Sequence, residues 1–479
     1  MKRRGTAVLV AGLMLVLGAC ADVPDGGADT TETAPEPTEA ETAPETTATT
    51  TASTEATDTT TGTTQADTYE HLAQALAGEF EGATVELLGQ WVDGEAENFQ
   101  ASLQPLIDAT GMNVVYEGIT DYETVLATRV DGGNAPDIAQ IAQPGLMRTF
   151  ASEGALVNLS EWFDIDRLSQ DYIQSFIDLG SYEGDLYGIF FKSDLKSIVW
   201  YPVDAFEQAG YEIPTTWDEL VALSDQIIAD GNGNPWCISM EHGDATGWVA
   251  TDWIEDILLR TAPAEIYDQW IAHEIPFDHP EVLEAADYMS QIWFADDYVY
   301  GGSTAINATF VGDTQTPMFA EDGPDCWMHK QAAWIPEFWP EGTEAGVDSS
   351  FFYFPPIEEE YGSPVLGAGD QMVMFDDRPE VRAVMEYLAT AEAAQGWIEA
   401  GGFVSPNQSV PLDWYDTYPN DELAAILDGA DVFRFDASDT MPAEVGAGSF
   451  WAAMIDWVAA DGADTEGVFA RIEASWPES

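Results

Sequence analysis

Basic side chains are scarce in this chain. Its 479 residues contain 14 Lys and Arg against 87 Asp and Glu, which gives a formal net charge of −73 at pH 7. Phosphate backbones and anionic membrane surfaces are bound through clusters of Lys and Arg. The composition therefore excludes a nucleic-acid ligand, and it argues against binding of an anionic membrane surface by the folded part of the chain.

The acidic residues themselves have two interpretations. Acids spread over a whole surface keep a protein soluble in concentrated salt, whereas acids gathered in a cleft bind a cation such as a polyamine. The 87 acids are scattered along the entire chain. This distribution favours the salt-adapted surface, and a cation receptor remains the alternative.

Sequence motifs for catalysis are absent. The chain contains no G-x-S-x-G, no P-loop and no H-E-x-x-H, since His273-Glu274 is not followed by a second histidine. Two carboxylates could hydrolyse a glycoside, but among 87 acids a chance pair proves nothing. We therefore predict that the protein is not an enzyme and has neither cofactor nor metal. A secreted glycoside hydrolase is the minor alternative.

The N-terminal segment has the parts of an export signal. Lys2, Arg3 and Arg4 precede an apolar run over residues 6–17 that is too short to span a bilayer. The sequence LGAC that follows, ending at Cys20, resembles a bacterial lipobox, in which the cysteine is lipidated. We predict a signal peptide over residues 1–19 and a lipid anchor at Cys20 on the extracellular face of the cell membrane. The alternative is an ordinary secretory signal.

The next segment, residues 20–67, is rich in Thr, Glu and Pro. Between residues 21 and 66 it has no aromatic residue, no Leu and no Ile. Such a segment buries too little apolar surface to offset the entropy lost on ordering. We predict a disordered tether that holds the folded domain, residues 68–479, away from the membrane. A low-complexity segment without a role is the alternative.

The chain has only three cysteines, and two of them remain once Cys20 is assigned to the lipid anchor. Cys237 and Cys326 would both lie outside the cytoplasm, and neither belongs to a C-x-x-C motif. An oxidising compartment and an even number of cysteines predict one disulfide. Two buried free thiols are the alternative.

The folded part opens with alternating strand and helix patterns. Strands are predicted over Ala83–Trp91, Met112–Ile119 and Ile138–Ala142, with helices over Glu95–Thr110 and Asp121–Val130 between them. This order is typical of a doubly wound α/β sheet, in which ligands bind beyond the carboxyl ends of the strands. About 410 residues exceed what one core usually serves, so two lobes are expected.

A second α/β unit begins near residue 190. Leu186–Phe191 and Ser197–Trp200 have the composition of strands, and Thr216 followed by WDEL has the pattern of a capped helix start. Together with GGNAPDIAQIAQPGLMRTFASEGALVNLSEW (residues 132–162), the segment LYGIFF…SIVWYPVDAFEQAGYEIPTTWDEL resembles family 1 extracellular solute-binding proteins of ABC importers, the maltose-binding protein class. PWCISMEHGDATGWVATDWIEDILLR and CWMHKQAAW look most like the α-glucoside-binding branch of that class.

The resemblance implies an architecture and a set of partners. It implies a type II periplasmic-binding-protein-like fold, with lobe 1 at about 80–184 plus 352–404 and lobe 2 at about 185–351 plus 405–479. Each lobe would be a sheet flanked by helices, joined by a hinge that closes on the ligand. The implied function is reversible binding of an oligosaccharide, an α-glucoside in this branch, and delivery to an ABC permease by a monomer.

Sugars are bound by flat apolar faces and by planar polar groups, so we looked for both at strand ends and at turns facing the cleft. Polar or aromatic residues lie after each of the first three predicted strands, before the strand at Ser197–Trp200, around the start of a helix near residue 248 and after Cys326. Others lie within or after strand and helix patterns later in the chain. Local capping, salt bridges and core packing are the alternatives at these positions. The candidate ligand contacts are Gln90, Trp91, Asp121, Gln143, Asp194, Glu241, His242, Trp248, Asp252, Trp253, His329, Gln331, Gly369, Asp370 and Trp451.

Overall fold

The computed structural model of the chain describes residues 69–415 and 419–477. The predicted signal peptide, the lipid anchor at Cys20 and the tether lie outside the described residues. No helix in the described ranges is both long enough and apolar enough to cross a membrane.

Strands and helices alternate through much of the described chain. The strands are β1 Thr84–Gly89, β2 Asn113–Gly118, β3 Ile138–Ile141, β4 Ser181–Tyr182, β5 Asp185–Leu186, β6 Gly188–Leu195, β7 Ile198–Pro202, β8 Asn234–Trp236, β9 Cys326–Lys330, β10 Ser349–Tyr353, β11 Pro364–Met374 and β12 Val432–Phe435. The helices are α1 Glu70–Leu76, α2 Asp93–Thr110, α3 Tyr122–Asp131, α4 Pro144–Ser152, α5 Ile165–Asp171, α6 Gln174–Leu179, α7 Val203–Ala209, α8 Trp217–Asp230, α9 Trp248–Thr261, α10 Ala264–Ile271, α11 Pro280–Trp293, α12 Gly302–Ala308, α13 Pro379–Leu388, α14 Ala391–Ala400, α15 Asn420–Asp428, α16 Ala437–Thr440, α17 Trp451–Ala459 and α18 Thr465–Glu473, with a π-helical segment at Glu444–Phe450.

The strand–helix–strand pattern predicted for the first part of the chain is present. β1 pairs in parallel with both β2 and β3, and α2 and α3 connect them. Helix α2 ends where the sequence predicts, because Gly111 adopts a left-handed conformation with φ 67° that stops the helix. The predicted fold class, an α/β fold with sheets flanked by helices, is confirmed.

Later strands complete the first sheet. Its order is β12-β11-β3-β1-β2, and β6 also pairs with β11. β11 runs antiparallel to β3 and to β6, whereas β12 is parallel to β11. The second sheet has four strands in the order β10-β7-β9-β8. Each sheet contributes to a large hydrophobic cluster of its own.

Within the described residues, the chain passes between the two sheets at three places. It leaves the first sheet after β6, through Lys196 and Ser197, and returns through residues 354–363 between β10 and β11. It leaves again after β12, at Asp436, toward α16–α18, which pack in the cluster of the second sheet. These connections place Lys196 and Asp436 side by side, with Lys196 Nζ 2.7 Å from Asp436 Oδ2.

The sequence WCISM, residues 236–240, has the composition of a strand, but the strand in the structure is shorter. β8 ends at Trp236, where it pairs with Met328 of β9. The following backbone turns away from the ladder, since Met240 donates its N–H to Ile306 O at 2.8 Å in the neighbouring helix α12. The predicted disulfide is present between Cys237 and Cys326, which are both buried.

Candidate functional site

A cavity of about 100 Å³ lies beyond the carboxyl ends of strands of the first sheet, where they meet loops and helices packed around the second sheet. Nine of the residues singled out from the sequence line it. They are Gln90, Trp91, Gln143, Asp194, His242, Trp248, Gly369, Asp370 and Trp451. The strand-end argument therefore brings together residues that are up to 361 positions apart in the chain.

Six other candidates are not among the lining residues. Asp121 is exposed beside Gly243, and Glu241 accepts a hydrogen bond from the Gly243 N–H at 3.0 Å. Trp253 is 1% exposed and packs in the core against Trp236, Trp293 and Phe354. The remaining three are buried: Asp252 pairs with Lys196, His329 lies in β9 beside Trp200 of β7, and Gln331 accepts the N–H of Ala332 through its own amide oxygen.

Sequence reasoning missed several lining residues. Glu95 and Glu123 sit in the first turns of α2 and α3, where acids are common for helix-dipole reasons and give no signal of a site. Asp436 directly follows the short strand β12, so the same strand-end argument would have found it if that strand had been recognised. Lys192, Lys196, Phe310, Trp334, Phe338 and Asp439 also line the cavity.

One wall of the cavity is a hydrogen-bonded polar network on the first sheet. Asp370 in β11 accepts from Gln140 Nε2 at 2.5 Å and from Gln90 Nε2 at 3.2 Å. Lys192 Nζ lies 2.8 Å from Glu95 Oε1 and 3.6 Å from Asp194 Oδ1. Burial raises the pKa of Asp370 to about 7, although Lys192 opposes the shift.

A second charged group closes the floor of the cavity. Lys196 Nζ lies 2.8 Å from Asp252 Oδ1 and 2.7 Å from Asp436 Oδ2. Burial alone would lower the pKa of Lys196, but the two carboxylates raise it well above its usual value. The ammonium is therefore fixed in its charged form and is already shared by two anions.

The opposite wall is aromatic. Trp248, at the start of α9, lies 6.2 Å from Trp334 between ring centroids, and its Nε1–H points to His242 Nδ1 at 3.3 Å. Lys196 Nζ is 5.0 Å from the centre of the Trp248 ring. Burial lowers the pKa of His242, which keeps the imidazole neutral at pH 7.

A glycine permits the close approach of two elements of this wall. Gly247, the residue before α9, has φ 118°, a region that L-residues rarely adopt. A Cβ atom at this position would lie 2.4 Å from the carbonyl oxygen of Trp451. Gly247 therefore lets the starts of α9 and α17 touch, which brings Trp248 and Trp451 to the same cavity.

The cavity thus combines flat apolar rings with carboxylate and amide oxygens. Rings pack on the C–H faces of a sugar-like solute, and the oxygens accept hydrogen bonds from its hydroxyl groups. Such an arrangement suits a small polyhydroxylated molecule.

Comparison with known proteins gives a consistent assignment. Residues 94–395 match the family model for bacterial extracellular solute-binding proteins. The chain is 42% identical over 403 residues to the osmoprotective compounds-binding protein GgtB of Synechocystis, covering 84% of this chain and 94% of that protein. It is 39% identical over 411 residues to the alpha-glucosides-binding periplasmic protein AglE of Rhizobium meliloti, covering 83% and 88%.

Solved structures show the same fold at low sequence identity. The bacterial solute receptor AcbH superposes with a TM-score of 0.71 at 18% identity, over 82% of this chain and 98% of that one. RafE in complex with raffinose gives a TM-score of 0.65 at 20% identity, over 82% and 98%. Maltose-bound MalE3 of T. maritima gives 0.65 at 13% identity, over the same shares.

Proposed function

This chain belongs to the family of bacterial extracellular solute-binding proteins, and on that premise we propose that it is the lipid-anchored sugar receptor of an ABC importer. It binds an oligosaccharide, an α-glucoside, at the cavity between its two sheets and delivers it to the permease without chemical change. The cavity of about 100 Å³ has to widen to hold such a ligand, since pockets for molecules of this size measure roughly 300–1,000 Å³. The name of the relative AglE supports an α-glucoside. The name of the relative GgtB supports a second candidate class, small osmoprotective compounds.

The observation that carries this proposal is the pairing of an aromatic wall with an acceptor-rich wall. Trp248 and Trp451 line the same cavity as Gln90, Gln143 and Asp370. A polyamine is a less suitable ligand, because the ammonium groups of Lys192 and Lys196 already form ion pairs with carboxylates of the lining.

The resemblance implies lobe boundaries at about 80–184 plus 352–404 and 185–351 plus 405–479. Because β6 and β12 pair in the first sheet, we propose that the boundaries lie at the three passages between the sheets instead, near residues 196, 354–363 and 436. The three passages between the sheets then form the hinge, and the cavity lies between the lobes. Since Gln143 and Trp248 come from different lobes on this division, a bound solute favours the closed arrangement. Lipidation at Cys20, the tether and a monomeric state complete the proposal.

The test is a thermal-shift panel on residues 68–479 in high salt. The panel contains maltose, trehalose, sucrose, longer maltodextrins, spermidine, several amino acids and glycine betaine. A ligand that binds only the native state raises the melting temperature. We expect a shift with at least one α-glucoside and none with spermidine. A shift with spermidine alone would overturn the sugar assignment.

Two controls sharpen this test. Trp476→Ala removes an indole that stacks on His273 at 4.1 Å and is not among the residues that line the cavity, so its shifts should match those of the wild type. Chromatography of the sugar recovered after incubation should return it intact. Hydrolysis products would favour the glycoside hydrolase instead.

A further inference from the structure

Two buried oxygens on the cavity lining accept no hydrogen bond within the described part of the chain. They are Asp194 Oδ1 and Gln143 Oε1. The two residues are 9% and 4% exposed. A buried acceptor without a donor costs on the order of 1–3 kcal/mol. A ligand that donates hydrogen bonds to both atoms would remove this cost.

The orientation of the Gln143 amide follows from its neighbour. Its Nε2 donates to Glu123 Oε1 at 3.1 Å, which fixes the orientation of the amide and leaves the carbonyl oxygen as the end without a hydrogen bond. Asp194 Oδ1 lies 3.6 Å from Lys192 Nζ, beyond hydrogen-bond distance. On this wall the lining accordingly offers acceptors.

The charges of the lining point in the same direction. Six carboxyl groups line the cavity against two ammonium groups: Glu95, Glu123, Asp194, Asp370, Asp436 and Asp439. Each ammonium already lies within 4 Å of two carboxylates, Lys192 with Glu95 and Asp194, and Lys196 with Asp252 and Asp436. No arginine is among the lining residues that the structure describes.

An anionic group on a solute would meet two penalties in this cavity. It would lose water without gaining an uncommitted cation, and it would meet a lining in which acidic groups outnumber ammonium groups six to two. The burial and the neighbouring carboxylates Asp194 and Glu95 that raise the pKa of Asp370 to about 7 act equally on a phosphate or carboxylate of the ligand. A hydroxyl or an ammonium group, in contrast, supplies the donors that Asp194 and Gln143 lack.

Resting on the proposed function, we infer that the cavity is charge-selective: it accepts glycosides that are neutral or carry an ammonium group and rejects those that carry a phosphate or a carboxylate. Like charges brought together in a binding site cost enough to lower affinity by at least about a hundredfold. The inference concerns a class of solute, sugar phosphates and uronides, that the proposed function alone would leave open.

The experiment compares matched pairs by isothermal titration calorimetry at neutral pH in moderate salt. The neutral probes are maltose, trehalose and sucrose, and each is paired with its 6-phosphate ester; 6-amino-6-deoxytrehalose provides the cationic analogue of trehalose. We expect the phosphate ester of any sugar that binds to be weaker by at least about a hundredfold. If trehalose binds, we expect the amino analogue to bind within about tenfold of it.

A substitution at Asp194 tests whether this residue causes the charge selectivity. Asp194→Asn keeps the shape of the side chain and removes one negative charge. It should therefore reduce the ratio of the affinity for the neutral sugar to the affinity for its phosphate ester by about tenfold or more. Asp287→Asn, which removes an exposed charge from α11, should leave this ratio unchanged. The melting temperature of each variant verifies that it is folded.

The outcomes separate the two proposals. A phosphorylated sugar that binds the wild type within about threefold of its neutral partner would overturn the charge selectivity and leave the sugar receptor standing. Binding of spermidine but of none of the sugars would overturn the proposed function, and the inference with it.

Discussion

Lys196 and Asp252 form a buried ion pair, with 2.8 Å between Nζ and Oδ1, that ties a passage between the two sheets to the cavity wall. Lys196 lies directly after β6, where the chain leaves the first sheet. Asp252 lies one helical turn after Trp248 on α9, and the Lys196 ammonium is 5.0 Å from that indole ring. The position of the aromatic wall is therefore set by a charge at the crossover.

Breaking this pair should destabilise the protein. Lys196→Met leaves Asp252 and Asp436 buried without their cation, and we expect the free energy of unfolding to fall by about 3–5 kcal/mol. Urea denaturation followed by tryptophan fluorescence measures the change. Arg471→Met, which removes an exposed pair with Asp464, serves as the control, with an expected change of about 1 kcal/mol or less. Equal stability in both variants would refute a structural role for Lys196.

The aromatic wall should provide much of the affinity for sugar. We expect Trp248→Ala and Trp451→Ala each to weaken binding by about tenfold or more, because buried indole rings dominate binding sites. Trp451 is only 3% exposed, so its variant should also melt at a lower temperature, whereas half-buried Trp248 should cost less stability. Titration calorimetry with the sugar found in the panel tests both. Unchanged affinity in both variants would mean that the platform for the sugar ring lies elsewhere.

Local sequence signals predicted individual elements well. Thr216 caps α8 as its pattern indicates, accepting the N–H of Glu219 at 3.3 Å, and Gly111 ends α2. Such local signals do not predict which strands pair to form the first sheet. β6, β11 and β12 join it from parts of the chain far apart in sequence, and that pairing depends on long-range packing rather than on local periodicity.

The site was predictable where a strand ends in the cavity and less so along helices. Gln90, Gln143 and Asp370 follow or interrupt strands of the first sheet and line the cavity. Asp252 was chosen because it is four residues after Trp248 on the same helix face. Asp252 lies in the second turn of α9, where its carboxylate pairs with the ammonium group of Lys196. The cavity lining therefore includes Trp248 but not Asp252. Such a partner, 56 residues away, has no local sequence signal.

Glu123 should make stability depend on pH. Burial raises the pKa of this carboxyl from its ordinary value of 4.5 to about 7. The folded state therefore holds a proton that the unfolded state has lost, and this stabilisation is complete below about pH 4.5 and disappears as the pH rises through 7. We expect Glu123→Gln to match the wild type in free energy of unfolding near pH 5 and to exceed it near pH 8 by on the order of 1–2 kcal/mol, as measured by urea denaturation at each pH. A constant difference across that range would contradict the assignment.

The disulfide should stabilise the part of the protein built on the second sheet. Cys237 and Cys326 close a loop of 89 residues, and loss of such a bond costs about 2–4 kcal/mol. The double variant Cys237→Ala/Cys326→Ala should therefore melt at a lower temperature than the wild type, and a reducing agent should lower the melting temperature of the wild type only. If the reducing agent lowers that of the double variant equally, it acts by another route.

Salt should stabilise the folded protein through screening. The net charge of −73 makes the compact state repel itself, and this repulsion weakens as the Debye length falls from about 30 Å at 0.01 M salt to about 8 Å at 0.15 M. We expect the melting temperature to rise most steeply over that interval, and equally for NaCl and KCl at the same ionic strength. A rise that begins only near molar salt would indicate exclusion of salt from the surface instead of screening. A melting temperature that stays flat from low to molar salt would exclude salt adaptation, and the excess of acids would then need an explanation other than solubility in brine.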